Sequence, residues 1–315
     1  MERGRGYRAA RALLGAGGAI AGLTLAISAY MAHRITSPRR VVPLAAREIA
    51  PHLADITFRT DDGLTIHGWY VRHDAARGAL VIGHGFGMGR AALLDLACGL
   101  HARGYAVLLF DFRAHGASEG RRSTIGYHEA WEVAAAARFL HARPELTGRA
   151  VGAVGISMGA VATILAAARE PLIAAVVADS AYATLSEIAT GGLRLLYHLP
   201  AFPFAPLIVR FGEVLTRARI GAASALASIG SIAPRPLLLI HGEADRLIPI
   251  ANARALHAAA GDAAELWALP GVGHTQAFRH DEEAYLRRLD TFFAGAFAGA
   301  GPAIDVRQPP VLAPV

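Results

Sequence analysis

Apolar residues follow three patterns along this chain. The first is a single uncharged run, residues 12–32, whose 21 residues can cross a bilayer core of ~30 Å as a helix. The second is alternation. Residues 55–60 and 64–72 alternate apolar and polar side chains around Asp61-Asp62-Gly63, which predicts a β-hairpin. The third is a succession of short apolar blocks and longer helical stretches. Strands are predicted at 79–83, 105–111, 151–156, 173–179, 236–241 and 265–269. Helices are predicted at 90–103, 127–142, 161–169, 251–260 and 282–293. This alternation predicts an α/β fold, a mostly parallel central sheet with helices on both faces.

The succession breaks once, over residues 181–234, too long for an ordinary αβ connection of ~2–6 residues. Residues 193–209 are dense in Leu, Phe and Pro, which predicts a small helical cap suited to acyl or other apolar substrates. Plain packing of a long excursion onto the sheet is the alternative. The rest divides into a basic segment (1–11), a linker with an amphipathic lead-in (33–53), a globular domain (54–295) and a disordered Gly/Ala/Pro tail (296–315). The 12–32 run exceeds the ~7–15 apolar residues of a cleavable signal core, so it reads as a signal anchor that stays in the membrane. A cleaved signal peptide, with Ala26-Ile27-Ser28 as its small-residue site, and a soluble helix remain open. Gly18 and Gly22 have helix-pairing spacing, which means little in so glycine-rich a segment. Arginines flank the run on both sides, so the positive-inside bias nearly cancels and the side of the membrane stays open.

Composition changes this picture in one respect. The net charge of +6 suggests nucleic acid until it is located. Seven arginines and Glu2 in the first 40 residues carry all of it, so the globular part is neutral, a nucleic-acid face is unsupported, and no nucleic-acid partner is expected. All 31 basic residues are arginine, a composition bias rather than a functional signal. Hydrophobic residues at 54% support a sizeable core. The single cysteine, Cys98, excludes an intrachain disulfide framework and a cysteine-based zinc cluster.

The candidate chemistry centres on Gly155-Ile156-Ser157-Met158-Gly159, a G-x-S-x-G sequence between a predicted strand and a small-residue helix. In that context it reads as a nucleophile elbow, whose tight turn lifts the Ser157 hydroxyl above the sheet. Serine is a poor nucleophile at neutral pH and needs a base and an orienting carboxylate. Asp245 follows the strand at 236–241, on the sheet edge where sites of open α/β folds lie. His274 follows Pro270-Gly271-Val272-Gly273, a loop free to bring an imidazole over Ser157. Asp179 is the alternative acid and His280 the alternative base. Acyl transfer also needs N–H donors for the developing oxyanion. The backbone of Met158 and that of Phe86, in His84-Gly85-Phe86-Gly87, are the candidates. The Gly83-x-Gly85-x-Gly87 spacing is not that of a nucleotide-binding loop. No His or carboxylate cluster has metal-ligand spacing, and no cofactor is expected.

With these elements, the chain resembles the α/β-hydrolase superfamily over about residues 50–295. Within it the chain is most similar to bacterial serine hydrolases of the serine aminopeptidase-like or monoglyceride-lipase-like group. The resemblance rests on Gly155-Ile-Ser157-Met-Gly159, His84-Gly-Phe86, His241-Gly-x-x-Asp245 and Gly273-His274. Asp111-x-Arg113-x-His115-Gly-x-Ser118 also matches a superfamily segment, which implies a scaffold role for Asp111, Arg113 and His115; His84 and His241 likewise look like loop braces. The resemblance implies a serine hydrolase acting on carboxylic esters or related acyl compounds, held by an N-terminal helix in a bacterial inner membrane, with secretion after signal cleavage as the alternative. Peptidase, thioesterase or acyltransferase chemistry would use the same residues, and a noncatalytic membrane-tethered module would use none. A serine at the elbow separates the chain from relatives with an aspartate nucleophile, and Cys98 lies too far from any elbow to serve as a thiol nucleophile.

Overall fold

The computed structural model describes residues 2–41, 53–222 and 224–299, with side chains from residue 11 onward. The 53–71 stretch is the expected hairpin of β1 (Leu53–Arg59) and β2 (Thr65–Val71), paired antiparallel from Leu53 with Val71 to Arg59 with Thr65. β3 (Gly78–Gly83), β4 (Tyr105–Phe110), β5 (Val151–Ile156), β6 (Ile173–Asp179), β7 (Leu237–Gly242) and β8 (Ala264–Leu269) complete one sheet. Its order is β1-β2-β4-β3-β5-β6-β7-β8. β2 runs antiparallel to β4, and every later pairing is parallel. β3, β4, β5 and β7 are buried at every position, which is why they read as unbroken apolar runs rather than as alternation.

Helices cover both faces. α3 (Glu129–His141), α4 (Met158–Ala167) and α8 (Ala251–Ala260) lie on one face, with Val133, Leu140, Val161 and Leu256 in its core. α2 (Leu94–His101) and α10 (Glu282–Gly299) cover the other through Leu96, Leu100, Tyr285, Leu289 and Phe293. All ten residues of α4 are buried, and their small apolar side chains let the helix lie directly behind the elbow.

Two predicted elements differ in extent. Residues 90–103 are a 3₁₀ turn (Arg90–Leu93) followed by the shorter α2, because Asp111 holds the Arg90 N–H and guanidinium and fixes the entry. α10 continues to Gly299, past the expected start of the tail at 296, because Phe297 packs edge-on to Tyr105 and tilted against Phe293. The rest of that tail, 300–315, and most of the 33–53 linker, 42–52, lie outside the described residues.

The 181–234 excursion is helical. It contains α5 (Leu185–Tyr197), α6 (Phe204–Thr216) and the short α7 (Ala225–Ser228). Thr184 caps α5 by accepting the Glu187 N–H, and the left-handed His198 ends it. The N-terminal helix α1 (Glu2–Thr36) docks its final turns on this excursion. Met31 and Ala32 share a buried cluster with Leu193, Phe204, Ala205 and Ile208. The most apolar 18 residues within Arg11–Thr36 of α1 have a mean hydropathy of 1.8 and are only 6% buried, so this part is long and apolar enough to cross a membrane, as a signal sequence also is.

Candidate active site

The site lies at the carboxyl edge of the sheet, where β5 turns into α4. Ser157 makes that turn with φ 55° and ψ −114°, a conformation that costs a non-glycine residue on the order of 1–3 kcal/mol. Its surroundings hold it there. The Ser157 N–H donates to the Asp179 carbonyl at 2.8 Å, and its own carbonyl accepts from Ala160 and Val161. A Cβ on Gly155 would overlap the Gly159 carbonyl, and one on Gly159 would overlap the carbonyl of Gly83. Only hydrogen fits at these two positions, so strand, turn and helix close as tightly as the sequence pattern requires.

Three sequence-predicted side chains come together at this edge. The Ser157 Oγ lies 3.1 Å from His274 Nε2, and His274 Nδ1 lies 2.7 Å from Asp245 Oδ2. The other Asp245 oxygen accepts the N–H groups of Leu247 and Ile248 at 2.9 and 2.8 Å. The carboxylate is therefore fixed in rotation, and with it the imidazole. Asp245 is buried, whereas Ser157 and His274 remain partly open to solvent.

The alternatives do not join them. His280 sits exposed at the end of α9 (Ala277–His280). Asp179 is buried one strand over, where its two oxygens accept from Ser180 Oγ at 2.8 Å and Tyr285 Oη at 3.0 Å. Burial pushes its carboxyl up to about 6, against the pull of those two hydroxyls. Ser180 Oγ in turn accepts the Thr275 N–H at 3.2 Å, next to His274. Asp179 thus braces the histidine loop from behind. Neither Ser180 nor Tyr285 stands out in the sequence: the only available signal was the Asp179-Ser180 pair at a strand end, and Tyr285 lies on the final helix.

The loop after β3 approaches the elbow at Gly85, where a Cβ would touch that of Ser157 at 3.5 Å. Phe86 follows, with its ring edge-on to His115 at 5.7 Å and its side chain pointing partly to solvent. Met158 is the first residue of α4, where backbone N–H groups lack intrahelical partners. Two buried histidines shape this loop. His84 bridges the Gly85 carbonyl and the Phe112 N–H, and His115 bridges the Arg113 carbonyl and the Gly87 N–H. In each ring one nitrogen accepts from backbone, which requires the neutral form. Burial agrees, lowering His115 and holding His84 down at about 4. Asp111 is sealed with Arg90, whose guanidinium stacks 4.6 Å above Trp69. Arg113 bridges Glu132 and Asp62, tying the β1–β2 turn to α3. His241 lies inside the acid loop with Nε2 2.7 Å from the Ile248 carbonyl. Its Nε2 also lies 3.5 Å from Asp245 Oδ2, the oxygen that meets His274.

A cavity of about 810 Å³ opens at the opposite edge of the sheet, beside Val151, Pro236 and Phe297, and shares no residue with the elbow. The chemistry, not the volume, locates the site.

Comparison with known proteins agrees with this fold. The sequence model of the X-Pro dipeptidyl-peptidase (S15) family matches residues 35–203, more than half of the chain. Among curated relatives, the uncharacterized protein Rv2307c of Mycobacterium tuberculosis is 30% identical over 251 residues, covering 79% of this chain and 82% of its own. The uncharacterized protein YfhR of Escherichia coli K12 is 26% identical over 250 residues, covering 76% of this chain and 80% of its own. The solved esterase Pf2001 of Pyrococcus furiosus superposes with a TM-score of 0.71 at 26% identity, covering 84% of this chain and 99% of its own. An eight-stranded, mostly parallel sheet, a serine elbow at its carboxyl edge and these relatives together make the chain an α/β-hydrolase enzyme belonging to the X-Pro dipeptidyl-peptidase (S15) family.

Proposed function

We propose that the chain is a membrane-tethered serine hydrolase that cleaves carboxylic esters through an acyl-enzyme. The observation that carries this reading is the hydrogen-bonded path Ser157 Oγ, His274 Nε2, His274 Nδ1, Asp245 Oδ2, beginning at a serine with φ 55°. His274 takes the Ser157 proton as Oγ attacks the substrate carbonyl. The Phe86 and Met158 amides receive the oxyanion. His274 then passes the proton to the leaving alcohol and activates water, which releases the acid. Asp245 holds Nδ1 protonated, so that Nε2 is the base. The esterase at 26% identity favours an ester over a peptide. The family match supports a second reading, amide cleavage by the same residues, and thioester or acyl-transfer chemistry would also use them. The 26-residue apolar part of α1 supports the tether.

A fluorophosphonate probe on the full-length protein tests the nucleophile. Labelling and p-nitrophenyl ester turnover are expected in the wild type, and both should vanish in Ser157→Ala, with rate losses on the order of 10⁶ for a nucleophile of this type. Turnover that survives the substitution would remove Ser157 from the mechanism, and a wild type that does not label would favour a noncatalytic module. A panel of acyl esters, thioesters and X-Pro dipeptide amides separates the ester and peptide readings.

A further inference from the structure

The cap carries an apolar turn with large side chains exposed among the described residues. From Leu195 to Val209 the sequence has no Asp, Glu, Lys or Arg. Within it Leu196, Tyr197 and Phe202 are 65%, 48% and 80% exposed. Its place relative to α1 shows what covers it.

α1 meets the protein along one stripe. Ser28, Met31, Ala32 and Thr36 are buried, at spacings of three and four, while Leu13, Leu14, Ile20 and Leu23 are exposed. Gly212 of α6 stands against Thr36, and Phe204, Ala205 and Ile208 cluster with Met31 and Ala32. The two helices therefore run side by side in the same direction. At ~1.5 Å per residue, Phe204 lies ~12 Å behind Gly212, level with about Ser28 of α1. The α5–α6 turn then falls beside the uncharged run 12–32. Charge begins at matching levels too: Arg210 comes two residues before Gly212, and Arg34 two residues before Thr36.

This level is rigidly set. Arg122 binds His33, Thr36 and Ser37, the Ser123 N–H donates to the Thr36 carbonyl, and Arg40 donates to the Ser118 and Gly120 carbonyls. The end of α1 is bolted to the catalytic domain as well as to the cap.

We infer that the α5–α6 turn, with Leu196, Tyr197 and Phe202 at its surface, is a second membrane contact that enters the same bilayer leaflet as α1. The inference rests on the reading of α1 as the anchor. The apolar exposure, the shared charge boundary and the continuity of the turn with α1 all select a lipid bilayer as its occupant. α5 also presses on the acid loop, since a Cβ on Gly191 would overlap the Leu247 carbonyl. The membrane-seated turn and the Asp245 loop are thus in direct contact through one helix.

The test uses the full-length chain with Cys98→Ala and a single new cysteine, Phe202→Cys, Leu23→Cys or Asp74→Cys, each labelled with the fluorophore NBD. The proteins are reconstituted in vesicles of phosphatidylcholine and phosphatidylglycerol, with and without doxyl-labelled acyl chains. Doxyl lipid should quench the label at 202 as strongly as at 23 and leave the one at 74 unquenched. Quenching at 23 without quenching at 202 overturns the turn contact and keeps the anchor. Quenching at neither overturns both. Disulfide crosslinking between chains at 202 without lipid quenching would assign the turn to a second copy and overturn the inference.

Discussion

β6 and β7 are parallel neighbours, and each leads to a buried carboxylate at the same edge of the sheet. Asp179 is the last residue of β6, in register with Ile156 on one side and Ile240 on the other. Asp245 stands three residues past Gly242, the end of β7. That offset decides what each can do. A side chain still inside the strand register points into a face of the sheet, and Asp179 meets Tyr285 on α10. A side chain on the loop beyond is free to turn across the edge, and Asp245 meets His274. Burial alone therefore does not identify the orienting acid. Backbone N–H groups supply the rest: Leu247 and Ile248 donate to Asp245 and fix its rotation, while Asp179 faces two hydroxyls and burial raises it.

The comparison is most sharply tested by neutralising each acid in turn. Asp245→Asn should lower kcat by about 10⁴, because the histidine loses the partner that sets its tautomer. If ester turnover fell by less than the Asp179 variant's loss, the assignment of the two acids would be reversed. Gly191→Ala comes next. The added methyl must displace α5 or the Leu247 carbonyl, and with it the N–H that holds Asp245. A shift of about 1 Å at that loop should cost roughly 10- to 100-fold in kcat/KM. Melting of the same variant would reveal an overpacking penalty of about 1–3 kcal/mol. Unchanged kinetics would show that α5 and the acid loop are uncoupled.

Asp179→Asn should cost less than about tenfold in kcat, since the amide still accepts from Tyr285 and the residue acts only through Ser180 and Thr275. Its clearest readout is the smallest effect, in the pH dependence of stability. The folded protein holds a proton on Asp179 up to about pH 6, whereas the unfolded chain releases it near its ordinary value of 3.8. That proton stabilises the fold fully below pH ~4, and the contribution is lost as pH rises through about 6. Asparagine stays neutral throughout. The Tm of the variant relative to wild type should therefore rise between pH 4 and pH 7, roughly spanning the two values. The buried histidines His84, His115 and His241 change in the opposite sense but are common to both proteins, so they cancel. A Tm difference that stays constant with pH would mean that Asp179 is ionised across the range.

The alternating strands and helices were legible because a parallel sheet buried on both faces leaves a strong imprint: β3, β4, β5 and β7 are uninterrupted apolar blocks. The elbow was legible for a steric reason, since Gly155 and Gly159 leave no room for any other residue. The loop braces His84, Asp111, Arg113, His115 and His241 were marked by the motifs they stand in, but the braces that join distant segments were not. Arg122 reaches Thr36 across 86 positions, and Tyr285 reaches Asp179 across 106, with nothing local to mark either pair. The end of α10 was hidden too, because Phe297 helps to hold the last turns through rings on β4 and on its own helix.

By itself, the order of residues determined the class of fold, the turn that carries Ser157 and the uncharged length of α1, because each depends on neighbours a few positions apart. Which carboxylate reaches His274, and at what height the 181–234 excursion lies beside α1, was decided only by tertiary structure. Those outcomes depend on where separate strands end and how distant helices align, and contacts between such segments have no local periodicity to reveal them.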